Sequence, residues 1–141
     1  MKYLVIILLL VNYSSFGQNF PGGLKPLENR FTVIDRVAIE GDRHRQLTDE
    51  VLMLSNPITI NAITFKKIWI SFKSDKLVMM ILEIPSSSDQ VKIKSILSKK
   101  YKKSSCSNTT NDLVCFRNGD IEISITKDMN LIYYYNKQES F

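Results

Sequence analysis

The sequence predicts an α+β domain: a largely antiparallel sheet of about five to six strands, with one long amphipathic helix packed on one face. Three observations predict it. Apolar residues alternate with period two through much of the chain. The connections between these segments are short and rich in turn residues, which joins neighbouring strands antiparallel. One segment, about Asp89 to Lys102, changes to the helical period.

The 141-residue chain opens with Lys2 and an unbroken apolar run, Tyr3 to Val11. A polar stretch and the small residues Ser15 and Gly17 follow. That order is the layout of a secretory signal peptide over residues 1–17, cut before Gln18. The run is about half the ~20 residues of a spanning helix, so no transmembrane segment is expected in the mature chain. Residues 18–30 contain Pro21, Gly22, Gly23 and Pro26 and read as a flexible N-terminal arm. Residues 31–136 are expected to form the single domain, and 137–141 a loose tail.

Phe31 to Ile39 places Phe31, Val33, Val37 and Ile39 on one parity, which predicts a strand interrupted at Asp35. Glu40 to Glu50 is a charged loop opening on a Gly turn. Leu47, Val51 and Leu54 are spaced i, i+4, i+7, which predicts a short helix over 46–54, stopped by Ser55-Asn56-Pro57. Ile58 to Ile63 leads into sheet, with a bulge expected at Lys66-Lys67. Ile68 to Phe72 and Leu77 to Leu82 flank the polar turn Lys73 to Lys76. They predict a hairpin whose second, continuously apolar strand is central.

Ser87 and Gln90 have the spacing of a capping box. Ile93, Ile96, Leu97 and Tyr101 then line one helical face, and Asp89 and the terminal lysines complement the helix dipole. After the helix, Leu113 to Arg117, Ile121 to Ile125 and Leu131 to Tyr135 predict a three-stranded meander. Asn118-Gly119 is expected at the centre of its first turn.

Cys106 and Cys115 are the two cysteines of the chain. In an exported protein they are expected to form a disulfide pinning a loop to a strand. Asn108-Thr109-Thr110 is a glycosylation sequon, meaningful only in a glycosylating host. The formal net charge of +5 favours anionic contacts but is too small to diagnose nucleic acid, and no nucleic acid is expected for an exported chain.

No linear motif names a reaction. His44, the sole histidine, sits in the charged loop between Arg43 and Arg45, whose charges repel a metal ion, so no metal or cofactor is expected. No G-x-S-x-G or phosphate-cradling loop is present. The carboxylates Glu40, Asp42, Asp49 and Glu50 could supply an acid–base pair, but lie among Arg36, Arg43 and Arg45 and read first as salt-bridged surface. The lysines Lys92, Lys99 and Lys103 fall near one stripe if all are helical. That stripe is a solvated helix face or a patch for an anionic glycan or lipid headgroups. Trp69 and Tyr134 are the aromatic candidates. Strand parity allows them to share a sheet face, core if the helix covers it and an interface if not. The leading expectation is a non-enzymatic binding module acting on a protein partner outside the cytoplasm, such as an inhibitor, an immunity protein or an envelope assembly factor. A carboxylate enzyme and a lysine-helix membrane or glycan binder are the alternatives.

Overall fold

The computed structural model describes residues 19–36, 39–46, 49–107 and 111–137, with only the backbone for 39–46 and Asp49. The expected signal peptide, the sequon and all but the first residue of the expected tail lie outside the described residues.

Ten strands and two α-helices make up the described architecture. The helices are α1 (Arg30–Arg36) and α2 (Ser87–Lys100). The strands are β1 (Ile39–Gln46), β2 (Asp49–Leu54), β3 (Ile58–Ile60), β4 (Ile63–Phe65), β5 (Ile68–Lys73), β6 (Lys76–Glu83), β7 (Lys102–Ser104), β8 (Asp112–Asn118), β9 (Ile121–Thr126) and β10 (Asn130–Tyr135). Eight of them form one sheet in the order β1-β2-β5-β6-β10-β9-β8-β7, and β3 and β4 pair separately. Every pairing is antiparallel. The α+β reading holds, with β6 central as expected, but the sheet is wider than five to six strands.

Three local expectations are corrected. Residues 30–36 are helix α1, not a strand. The Asn29 side chain accepts the Phe31 N–H at 2.9 Å, an N-cap that supplies one of the helix's orphan donors with a partner. Phe31 is accordingly 65% exposed rather than core. The segment expected as charged loop and short helix is the hairpin β1–β2. Leu52 and Leu54 are buried on one strand parity, a pattern that the helical spacing of Leu47, Val51 and Leu54 obscured. Lys66-Lys67 is the break between β4 and β5, whereas the irregular register falls at Ser71/Phe72.

Turn chemistry sets the other connections. Ser74 and Asp75 join β5 to β6, both with positive φ, as a type I′ hairpin loop requires. In the β8–β9 loop Asn118 pairs with Ile121, so the central residues are Gly119-Asp120, one residue later than expected. Only Gly119 has positive φ (62°), the pattern of a type II′ loop. The N-cap of α2 is likewise one residue earlier than expected. Ser86, not Ser87, accepts the Asp89 N–H at 3.2 Å and donates to the Asp89 carboxylate at 2.8 Å.

Register divides the sheet into two faces. The rows Ile68–Leu82–Leu131–Ile125–Val114 and Leu52–Ile70–Met80–Tyr133–Ile123–Phe116 run across one face. Apart from the half-buried Tyr133, all are buried. Their cover is Ile93 and Leu97 from α2, Ile63 and Phe65 from β4, Val33 from α1, and Phe20 and Leu24 from the arm, all in one hydrophobic cluster. Burying side chains of this size is worth about 1.5–3 kcal/mol each, so the cluster dominates folding. The Pro/Gly-rich arm therefore lies against the domain. Leu27 N–H donates to Leu77 O at 2.7 Å, and Leu77 N–H returns a bond to Glu28 O at 2.9 Å. The arm thus pairs β6 just beyond the last β10 contact, Tyr134 opposite Met79.

Candidate recognition surface

Opposite the packed face runs a second pair of rows: Met53–Trp69–Ile81–Ile132–Ser124–Cys115 and Val51–Ser71–Met79–Tyr134–Glu122–Arg117. Period-two alternation forces this split. Once Ile68 and Ile70 enter the core, Trp69 must point away from it. Across β2, β5, β6 and β10 these residues are half-buried, and Tyr134 is 37% exposed. Both helices, the arm and the β3–β4 hairpin contribute to the cluster on the other face. Among the described residues, no helix covers Trp69 and Tyr134, which share this face.

The far side of the same face is closed by the segment after β7. Cys106 and Cys115 form a disulfide with Cα atoms 5.3 Å apart, which fastens that segment to β8 as expected. Beneath it Glu122 is buried, and its carboxylate accepts from Ser107 N–H at 3.2 Å, Ser107 Oγ at 2.5 Å and Asn136 Nδ2 at 3.3 Å. Three donors around one carboxylate meet the requirement that a buried charge be hydrogen-bonded. Arg117 donates to the carbonyls of Gly119 and Asn136 and ties the end of β10 to the β8–β9 turn. The Asp112 carboxylate lies 3.5 Å from Cys115 Sγ, a contact rather than a hydrogen bond, because a disulfide sulfur carries no proton.

Where β5 begins and β6 ends, the open face runs into a groove of about 680 Å³. Trp69, Ile81 and Met129 form apolar lining, with Glu83, Asp128 and Asn130 supplying polar groups. The Ile84 N–H donates to the Met129 carbonyl at 2.8 Å, which joins the β6–α2 loop to the β9–β10 turn along one wall. Neither Glu83 nor Asp128 was singled out from sequence. They are far apart in the chain, and only the β6–β10 pairing, with Glu83 opposite Asn130, brings them to one site.

The other sequence candidates separate. Lys92 and Lys99 are exposed on α2, but Lys103 is exposed on β7 opposite Phe116, so the three do not form one helical stripe. The chain leaves helix at Tyr101, whose φ and ψ are extended. Lysines on a short edge strand serve to discourage further strand pairing. Glu50 is 4% exposed and held by the Arg30 guanidinium, whose Nε and Nη2 both donate to its carboxylate. Those hydrogen bonds hold the Arg30 pKa above its ordinary value. Glu50 is thus part of the bond between α1 and β2. The side chains of Glu40, Asp42 and Asp49 lie outside the described residues, as does that of His44, whose backbone belongs to β1 rather than to a loop.

No protein-family model, characterised protein or solved structure matches the chain. Among the described residues, no helix is long and apolar enough to cross a membrane. The disulfide is compatible with an exported protein.

Proposed function

We propose that this chain is an exported, non-enzymatic binding module whose uncovered sheet face recognises a protein partner in the periplasm or extracellular space. An inhibitor, an immunity protein or an envelope assembly factor is the concrete form such a module takes. The observation that carries the reading is the shared position of Trp69 and Tyr134 on the face that no described helix covers. Met53, Met79, Ile81 and Ile132 stand in the same two rows. Aromatic residues and Met are among the side chains enriched at protein interfaces. Half-buried apolar residues standing side by side on a face that no described helix covers supply the contiguous surface an interaction site uses. The rigid disulfide-fastened sheet presents that surface at little ordering cost on binding.

The test places a photo-crosslinking phenylalanine analogue at position 134 in the otherwise native chain and irradiates it in the cells that export it. One discrete crosslinked protein is the expected result, with none when the analogue replaces Phe31, exposed on α1. Equal crosslinking from both positions, or none from 134, would overturn the reading.

A further inference from the structure

We infer that the groove beside Trp69 receives a basic side chain, in first place an arginine, from the protein that docks on the open face. The inference rests on the proposed function and names the chemistry that the partner must bring. Trp69 and Ile81 belong both to the apolar row of the open face and to the groove, so the two surfaces are continuous. A residue docked on the face can therefore extend a neighbouring side chain into the groove.

The lining selects the cation. Trp69, Ile81, Pro85 and Met129 offer apolar surface for a methylene stem, and the indole is the best aromatic face for a guanidinium. Glu83 and Asp128 are exposed, and neither is in an ion pair among the described residues. Two carboxylates without an ion-pair partner thus stand at one concavity, with Lys66 and Lys67 lining the adjoining pocket beside Glu83, whose N–H donates to the Lys67 carbonyl at 3.0 Å. Planar, bidentate contact with a carboxylate combined with stacking on an aromatic favours arginine over lysine.

An anion is the wrong occupant, although the groove borders the start of α2. The Ser86 hydroxyl already accepts from Asp89 N–H there, and Asp89 itself sits in the first turn and offsets the helix dipole. Together with Glu83 and Asp128 that makes three carboxylates at this end of the fold. A neutral sugar stacked on Trp69 would satisfy the indole but leave both carboxylates without an ion-pair partner.

Trp69 is the sole tryptophan, so its fluorescence reads the groove directly. The full mature chain, disulfide intact, is titrated with acetyl-Gly-Arg-Gly-amide, with the same peptide carrying neutral citrulline, and with maltose. The arginine peptide is expected to give a saturable change, with the citrulline peptide about tenfold weaker, the loss of one charge-assisted contact. Glu83→Gln with Asp128→Asn, both at exposed positions, is expected to bring arginine down to the citrulline level while circular dichroism stays unchanged. Equal responses to arginine and citrulline, a saturable response to maltose alone, or no response to any probe would overturn the inference. If the partner crosslinked through position 134 binds the Glu83→Gln/Asp128→Asn chain undiminished, the groove inference fails and the open face stands. If no partner is crosslinked at all, the open face fails, and the peptide titration alone decides the groove.

Discussion

Trp69 and Tyr134 stand two strands apart on one face of the sheet. Trp69 is opposite Ile81, Ile81 is opposite Ile132, and Tyr134 follows Ile132 by two residues on the same strand. A one-residue slip of β10 would turn Tyr134 inward and Tyr133 outward. Paired with Met80 and Ile123, Tyr133 instead joins the packed face and fixes which tyrosine is displayed.

That burial has a pH signature. Desolvation pushes the Tyr133 phenol above its ordinary value of 10.0, with Tyr101 adding to the effect. In the unfolded chain the phenol ionises near its ordinary value, so above about pH 10 the unfolded state has lost a proton that the folded state keeps. Stability is therefore full below pH 10 and falls as pH rises further, by up to roughly 1.4 kcal/mol per unit from this group. Denaturant unfolding of wild type and Tyr133→Phe between pH 8 and 11 checks it. The variant is expected to lose less stability over that interval.

Ser86 and Ser87 are both serines at the start of α2, but only Ser86 bonds the Asp89 N–H. Ser86→Ala is expected to cost about 1 kcal/mol, and Ser87→Ala no more than a few tenths. Equilibrium unfolding of the two variants separates the observed cap from the one that the sequence suggested.

Much of the fold was legible because its local signals agree. Leu77 to Leu82 is continuously apolar, and Ile68 to Phe72, Ile93 to Leu97 and Ile121 to Ile125 each carry a single period. The misread segments carry two. Phe31 to Ile39 alternates like a strand, yet Asn29 caps a helix there. Leu47, Val51 and Leu54 fit helical spacing, yet Leu52 and Leu54 fit a strand. β7 has no apolar pattern, because Lys102 and Lys103 occupy an exposed edge. Parity alone allowed Trp69 and Tyr134 to share a face, but which face the helix covers is a tertiary fact. The groove was illegible for the same reason: it is assembled by strand pairing from residues with no common motif.

The Arg30–Glu50 pair joins α1 to the edge region of the sheet, with side-chain exposures of 12% and 5%. Removing one partner leaves the other charge poorly solvated. Arg30→Met is expected to destabilise the domain by about 3 kcal/mol, and Arg30→Met with Glu50→Leu to recover most of that loss. Thermal unfolding of the single and double variants reads the difference.

The Cys106–Cys115 disulfide closes a short loop that includes Ser107, a donor to the Glu122 carboxylate. Cys106→Ala with Cys115→Ala is expected to lower stability by about 2–3 kcal/mol on the chain-entropy account. Reduction of the native chain should act in the same direction. Amide exchange should rise at Ser107, whose N–H bonds Glu122, and remain slow in β5 and β6.

The most direct measurement is affinity capture of the tagged mature chain from its native envelope and culture fluid, run beside the Trp69→Ala/Tyr134→Ala variant and eluted in salt steps. Both residues lie off the packed core, so the variant is expected to fold. A single stoichiometric protein held by the wild-type chain and lost from the folded variant is the predicted result. The same protein held equally by both chains, or no protein held by either, would contradict recognition through the open face.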